Sequence, residues 1–554
     1  MKNLIFIFSL LLAINGFGQI KENLAIDSIF SEWSKPNVPG CVLGIIRDGK
    51  LIYAKGYGMA NLEKNIPNDI NSVFEIASTS KQFTAACIVL LAEQGKLDLD
   101  NKLSDFFPEF PDYANQITIR HLLNHTSGIR NDGTLAFLKS PGNNDICTDS
   151  AIMKLLANQK ELNFKPGDKY EYSNTGYWLL GQIVNKVAKM DLADFSRKEI
   201  FEPLGMNSTL FYKDHSKILK NQAYGYESNG TGGFKINMST SFDHIIGSKG
   251  IFTNIEDIKK WDDAFYQSDI LNKKFWSMML QPGILNNGDT LDYACALVKG
   301  NYKGLNKISH GGAFLGYRSD ILRFPDQRLT VVIFANRADA DPTKMCYKVA
   351  DVLLKDQFIV QKSTAKDIEP KDNNPEGNYS LEQLTGMYAL RPDMILNISL
   401  KNDSLNVIQS WNNNTYKIVK IKGDTFQVPG ITDLSFTFLD LQNGKTMQLS
   451  VFQFGQNTFW KRKKDIDLTK INPKEFAGKY YSKELDVVYE FSVKKNKLHA
   501  SAGKFKQVEI FAYDIDQFYY GNILIRFKRD GNLISGLEID AEGVNNLKFE
   551  KMKK

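Results

Sequence analysis

The sequence predicts an α/β domain followed by two small all-β, barrel-like modules. Three observations carry that expectation. Strand-like and helix-like stretches alternate from about residue 22 to 360. A polar stretch with two prolines and no periodicity, KSTAKDIEPKDNNPEGNYS, then interrupts the pattern at 362–380. Beyond it come short runs of alternating polarity, turn signals such as Asn443-Gly444 and Asp530-Gly531, and little helix. At 554 residues the chain is too long for one ordinary core. The expected division is a leader at 1–18, the α/β domain at 19–361, a linker at 362–378, and modules at 379–465 and 466–554.

The elements follow in order. MKNLIFIFSLLLAINGFGQ has Lys2, a run shorter than the ~20 apolar residues of a bilayer span, and Gly16 and Gly18 at signal-peptidase positions −3 and −1. It reads as a secretory signal peptide cut after Gly18, hence export to the periplasm or beyond, with a retained anchor as the alternative. No second hydrophobic span follows, so no integral membrane segment is expected in the mature chain. VPGCVLGIIRDGKLIYAKGYGMA reads as two strands turning at Asp48-Gly49. Residues 78–95 carry apolar residues at helical spacing and end on Gly95. Further helices fit 175–188 and 254–266, the second opening on a capping-box pattern, Thr253-Asn254-Ile255-Glu256. SDILRFPDQRLTVVIFANR reads as a hairpin turning at Pro325-Asp326, and 343–357 as a closing helix. Strands at both ends with helices between imply one sheet assembled from distant segments. Past the linker the chain repeats itself: LTGMY (384–388) matches FAGKY (476–480), Ile398-Ser399-Leu400 matches Phe491-Ser492-Val493, Phe426 matches Phe518, and Trp460 roughly matches Phe549.

Composition excludes some classes. The net charge of +6 is spread over 69 basic and 63 acidic residues with no dense basic run, which reads as solvated surface rather than a nucleic-acid footprint. Five scattered cysteines form no disulfide framework, and Cys41 and Cys87 sit in apolar runs as core residues.

The chemistry centres on FEIASTSKQF, where Ser78 precedes Lys81 by three residues. The same spacing recurs at Ser363, Ser492 and Ser501, so context must separate them. Ser363 falls in the expected linker, where nothing would desolvate Lys366. Ser492 is interior to an expected strand, whose positions i and i+3 point to opposite faces. Ser501 precedes Ala502-Gly503 in an expected turn. Ser78 alone begins an expected helix, whose i and i+3 positions share a face. A serine hydroxyl needs a base to attack, and Lys81 serves only if burial or nearby positive charge lowers its pKa by several units. The helix N-terminus favours an alkoxide or oxyanion at Ser78. From this segment alone two readings stay open: an activated nucleophile, or a helix-capping serine beside a solvated lysine.

The longer stretch FEIASTSKQFTAACIVLLAEQGKLDLDNKLSDFFPEFP, followed by ITIRHLLNHTSGI, resembles the serine β-lactamase-related family. That group contains class C β-lactamases, D-aminopeptidases, DD-carboxypeptidases and related esterases. Its Tyr-x-Asn motif is matched by Tyr172-Ser173-Asn174 in YEYSNTGYWLLGQIV, ahead of a helix, and Tyr113 and Tyr520 fit only the bare pattern. Its Lys-or-His-x-Gly strand is matched by His310-Gly311-Gly312 in SHGGAFLGYRSDILRF. PLGMNST (203–209) and GSKGIFTNIEDIKKW (247–261) also resemble family stretches, and the similarity spans about residues 35–355.

The resemblance implies a β-lactamase/penicillin-binding-protein-like catalytic domain, an antiparallel sheet plus a helical region. It implies roles as well. Ser78 would form an acyl-enzyme, with Lys81 and Tyr172 sharing the work of base and proton shuttle. Asn174 would hydrogen-bond the substrate amide or hold Lys81. The backbone N–H groups of Ser78 and Ala313 would form the oxyanion hole, and Gly311 and Gly312 would let substrate approach the strand edge. His310 would contact substrate where class C β-lactamases typically have lysine. Histidine titrates near neutrality, so weaker carboxylate recognition and a pH-sensitive rate are expected. His-x-Gly and the tandem modules both resemble the D-aminopeptidase branch.

Other sites are discounted. His121 and His125 have a zinc-like i, i+4 spacing in HLLNH, but a metalloprotease would need glutamate at Leu122, so both read as structural. His215, His244 and His499 lack ligand-like neighbours, and no phosphate loop or Gly-x-Ser-x-Gly stands in context. The expectation is an exported serine hydrolase needing no metal or cofactor. Its partner is a small-molecule or peptide substrate, with peptidoglycan a candidate source. A D-amino-acid peptide or amide ranks first, an ester second, a β-lactam third. A non-catalytic peptide-binding protein and a structural assembly protein are the readings from other classes. The sequence leaves the oligomeric state open.

Overall fold

The computed structural model describes residues 22–359 and 379–553, apart from 36, 142–146, 215–217, 239–244, 413, 432–433, 454–455 and 465–466. The expected leader and linker, and with them Ser363, His215 and His244, lie outside the described residues. The chain forms two units, Met1–Ala136 with Asn144–Gln361, and Phe137–Asn143 with Lys362–Lys554. The stretch Phe137–Asn143, expected within the α/β domain, thus belongs with the second unit.

The first unit is built on an antiparallel sheet of strands β1 (Cys41–Arg47), β2 (Lys50–Tyr57), β3 (Val298–Tyr302), β4 (Leu305–Phe314), β5 (Tyr317–Phe324) and β6 (Leu329–Ala335), ordered β3-β4-β5-β6-β1-β2. As expected, the two ends of the domain meet: β1 pairs β6 from Cys41↔Ala335 to Arg47↔Leu329. The β-branched runs CVLGIIR and LTVVIFA are buried on both faces. One face carries Leu43, Ile45, Val331 and Ile333 into a core closed by Ile26, Phe30, Cys346 and Val349. Each such aliphatic side chain contributes about 2 kcal/mol on burial. The other face meets the helical region, and Gly44 marks how closely. A Cβ there would lie 2.5 Å from Ile255 Cγ2.

Helix α1 (Lys81–Glu93) is buried at every residue from Lys81 to Leu91, as a helix apolar all round must be. It follows a 3₁₀ turn, Ala77–Ser80, and the chain leaves it through Gly95 in the left-handed region (φ 67°). Helix α2 (Asn174–Ala188) is capped by Ser173, whose side chain accepts from the Gly176 N–H. Helix α3 (Ile255–Tyr266) starts one residue later than the capping-box pattern suggested. Asn254 is the cap, accepting from the Asp257 N–H, because Thr253 is held in a strand paired with Phe74. Helix α4 (Pro342–Leu354) has proline in its first turn and Asp341 as cap.

In the second unit, eight strands from Gly386–Arg391 to Gln456–Arg462 close into a barrel. Nine more, from Gly478–Ser482 to Val544–Lys551, form a sheet whose edges are the successive strands Phe505–Glu509 and Phe511–Asp514. The repeat is visible atom by atom. Tyr388 and Tyr480 are buried, and their hydroxyls donate to the carbonyls of Leu384 and Phe476, both at 2.9 Å. Gly386 pairs with Ile398 as Gly478 pairs with Phe491. Tyr388 pairs with Arg462 as Tyr480 pairs with Lys551, which brings Trp460 and Phe549 into equivalent positions. Ser501, expected in a turn, is in the strand Lys497–Ala502 just before it.

Candidate active site

Ser78 occupies the 3₁₀ turn ahead of α1, preceded by Ala77 with φ 48°. A non-glycine residue in the left-handed region stores strain, here beside the predicted nucleophile. One turn on, Lys81 is entirely buried. Its Nζ donates to Asn174 Oδ1 at 2.8 Å and to the Ser248 carbonyl at 2.7 Å, and lies 3.1 Å from Ser78 Oγ. Burial drives the Lys81 pKa well below that of an ordinary lysine, opposed by the nearby Asp132 charge and reinforced by Lys249. A neutral amine has two N–H donors and one lone pair. Two of its three contacts are carbonyl oxygens that can only accept, so in the deprotonated form that burial favours both N–H groups go to them and the lone pair is turned to the Ser78 hydroxyl.

Tyr172 comes from the segment ahead of α2. Its ring lies 4.9 Å from Lys81 Nζ. Its phenol, whose pKa burial pushes up, is hydrogen-bonded to Ser78, which pulls the other way.

Strand β4 borders the serine turn. Its register with β3 runs from Tyr302↔Leu305 to Val298↔Ser309, and with β5 from Ile308↔Arg323 to Phe314↔Tyr317. Residues of an antiparallel strand turn their N–H and C=O alternately to either side. Leu305, Lys307 and Ser309 face β3, so Gly311 and Ala313 turn toward that side beyond its last pair, where the edge is open. The Ala313 N–H therefore points out of the sheet, and Ala313 shares a cleft with Ser78. Gly312 packs against the serine turn itself, where a Cβ would lie 2.3 Å from the Ile76 carbonyl and 3.0 Å from the Ser78 nitrogen. The cleft has a volume of about 240 Å³, and its walls include Ser78, Asp132, Asn174, Lys249, Ala313 and Phe314.

His310 departs from expectation. It is buried, with Nδ1 2.7 Å from the Gly311 carbonyl and Nε2 3.1 Å from the Tyr293 hydroxyl. Both ring nitrogens are taken by these partners, which leaves neither for the substrate contact expected of it. Burial, the largest cause, brings its pKa down to about 4, and Lys81 adds to the drop when it is protonated. It stays neutral across the range where titration was expected.

The structure thus brings Ser78, Lys81, Tyr172, Asn174, Gly312 and Ala313 together, and sets His310 behind them. Sequence reasoning missed His125, Tyr293, Asp132 and Lys249. His121 and His125 serve different sites: His121 Nδ1 accepts from the Thr118 N–H at 3.1 Å, whereas His125 reaches Ser173 and Tyr293. The signal for His125 was present in HLLNHTSGI but was weighed only against zinc. Tyr293 sits in no motif.

A family model described as Beta-lactamase matches residues 26–354. Penicillin-binding protein 4* of Bacillus subtilis (strain 168) is 34% identical over 319 residues, 55% of this chain and 70% of that protein. Protein flp of Staphylococcus aureus (strain MRSA252) is 30% identical over 323 residues, 56% of this chain and 62% of its own length. Among solved structures, the octameric penicillin-binding protein homologue from Pyrococcus abyssi covers 80% of this chain and 99% of its own at TM-score 0.56 and 23% identity. The D-amino acid amidase from Ochrobactrum anthropi SV3 covers 61% of this chain and 99% of its own at TM-score 0.51 and 24% identity. At those identities the two structures speak for the fold.

Proposed function

Because this chain belongs to the Beta-lactamase family of serine β-lactamase and penicillin-binding-protein-like hydrolases, we propose that Ser78 is its nucleophile and that it cleaves amide bonds through an acyl-enzyme. The observation that carries this reading is the buried Lys81 amine, held between two obligate acceptors and the Ser78 hydroxyl.

Ser78 Oγ attacks the substrate carbonyl carbon and gives its proton to Lys81, with Tyr172 hydrogen-bonded beside it as the shuttle. The oxyanion forms against the N–H groups of Ser78 and Ala313, where one donor is worth ~3 kcal/mol. Collapse of the intermediate breaks the carbonyl–nitrogen bond, and the departing amine takes the proton back. Water, or an amine in a transfer reaction, then attacks the acyl-enzyme and leaves Ser78 restored.

For the substrate, a D-amino-acid amide or peptide ranks ahead of an ester, and a β-lactam third. A cleft walled by both Asp132 and Lys249 suits a molecule bearing ammonium or carboxylate groups better than an uncharged ester. With His310 neutral where class C β-lactamases typically have lysine, the third-motif strand offers a substrate carboxylate no cation. Export is part of this proposal and rests on the leader-like first 18 residues. A mature protein whose mass starts at residue 19 would support it, and an uncut one would not.

Intact-mass spectrometry after exposure to a fluorophosphonate, and separately to a penicillin, tests the nucleophile, with Ser78→Ala as control. A fluorophosphonate adduct on Ser78 that the variant lacks is the expected result. A persistent penicillin adduct would move peptidoglycan-like ligands forward. Folded protein that neither reagent modifies would sink the hydrolase reading in favour of a binding protein.

A further inference from the structure

Resting on that hydrolase reading, we infer that His125 and Tyr293 are positioning residues: with His310 they form a hydrogen-bond chain of fixed direction that ties the segment carrying Tyr172 to the strand edge carrying the Ala313 N–H.

Both ends of the chain are anchored by backbone. At one end the Ser173 N–H, one residue after Tyr172, donates to His125 Nδ1 at 3.0 Å. A peptide N–H cannot accept, so Nδ1 of His125 carries no proton, and the neutral ring holds its proton on Nε2. That nitrogen lies 3.0 Å from the Tyr293 oxygen and donates to it. The Tyr293 hydroxyl then has its own proton to give, and His310 Nε2, at 3.1 Å, receives it. The remaining nitrogen of His310 donates to the Gly311 carbonyl at 2.7 Å. A carbonyl can only accept, so the far end is fixed as well.

Every member is buried. Reversing the chain would set an N–H against an N–H at Ser173 and a lone pair against a lone pair at Gly311. It therefore does not relay protons. What it does is hold geometry: one end adjoins Tyr172, and the other lies two residues from Ala313. The charged and titratable groups facing it are Lys81 from α1, Tyr170 and Tyr172 from the segment before α2, and Tyr177 from α2 itself. The His125 ring lies 4.3 Å from the Tyr172 ring, tilted by 42°, so the chain also restricts how the shuttle can turn.

Nitrogen NMR of the histidine-labelled wild-type protein tests the direction of the chain without any variant. At neutral pH the expected spectrum has His125 protonated on Nε2 and His310 on Nδ1. The opposite tautomer in either ring, or a charged ring, overturns the assignment. The positioning role is read by the rate at which a fluorophosphonate labels Ser78. Tyr293→Phe keeps the ring and removes only the hydroxyl. It should slow labelling about tenfold through misplacement of Tyr172 and Ala313, and should change the His310 nitrogen shifts, since Nε2 loses its donor. If that variant does not fold, His125→Phe, which keeps a flat ring and removes both hydrogen bonds, should show the same slowing. Labelling at the wild-type rate in a folded variant overturns the positioning role. Wild-type protein that is not labelled at Ser78 would instead defeat the hydrolase reading, and the tautomers would still be measurable.

Discussion

Burying a lysine with no ion-pair partner favours the form stripped of its proton. Lys81 is surrounded by neutral acceptors, and burial is the leading influence on it, ahead of Asp132. Lys81→Arg should therefore cut the rate of Ser78 labelling by about a thousandfold or more, because a guanidinium does not give up its proton in a protein. Labelling within tenfold of wild type would remove Lys81 as the base. His310 gives a second residue-scale prediction. Its folded pKa of about 4 lies below the ordinary 6.5, so its contribution to stability is present above 6.5 and lost as pH falls toward 4. The reaction rate should show no limb near neutrality from this group, and a limb that disappears in His310→Gln would contradict that. Ser78 and Lys81 were legible because a spacing of three brings two side chains together across one helical turn, here the 3₁₀ turn that leads into α1. His125 and Tyr293 were not, because a sequence separation of 168 closes only through tertiary folding.

At the scale of elements, β4 must lie against the serine turn without a side chain between them. Gly312→Ala would push Cβ into the Ile76 carbonyl and toward the Ser78 nitrogen. The strand has to yield there, and labelling of Ser78 should fall about a hundredfold while the protein stays folded. Unchanged labelling would mean the turn can move aside. Behind the same strand lies Asp320, paired with Gly311 and buried. One of its oxygens accepts from Thr343, and the other has no hydrogen-bond partner among the described residues. Burial raises its pKa from 3.8 to about 6, opposed by the Thr343 hydrogen bond. Its contribution is thus intact below 3.8 and lost as pH rises through about 6. Asp320→Asn should gain on the order of 2 kcal/mol above that range and nothing at low pH, measured by melting across pH. Elements with strong periodicity were readable in the sequence, α1 and the hairpin of β1 and β2 among them. The start of α3 was misplaced because capping residues compete locally, and strand pairing at Thr253 decided between two that both fit.

Across the whole molecule, the duplicated β-architecture makes a quantitative demand. Tyr388→Phe and Tyr480→Phe each lose a buried hydrogen bond to the carbonyl four residues back, worth about 1 kcal/mol, and Tyr388→Phe should cost more, because its hydroxyl also meets the Thr446 hydroxyl. Denaturant unfolding of the two variants checks this, and a smaller loss for Tyr388→Phe would overturn it. The copies were legible because glycine and tyrosine recur at fixed spacing, and both glycines take backbone angles that other residues avoid, φ 142° and 143°. What no pattern announced was the attachment of Phe137–Asn143 to the second unit, where Tyr489 donates to the Leu138 carbonyl at 2.7 Å. Such a contact depends on surfaces that exist only after folding.

The meeting of β1 with β6 has a consequence in time. Ribosomes deliver a chain amino-terminus first, and Ser78 emerges long before the strand that completes its surroundings. Thr79 waits for Ser319, 240 residues later, and Gly40 waits for Asn336, 296 residues later. On the proposed reading, Lys81 is open to water until then, and the activation of Ser78 would wait for the last strand of the sheet.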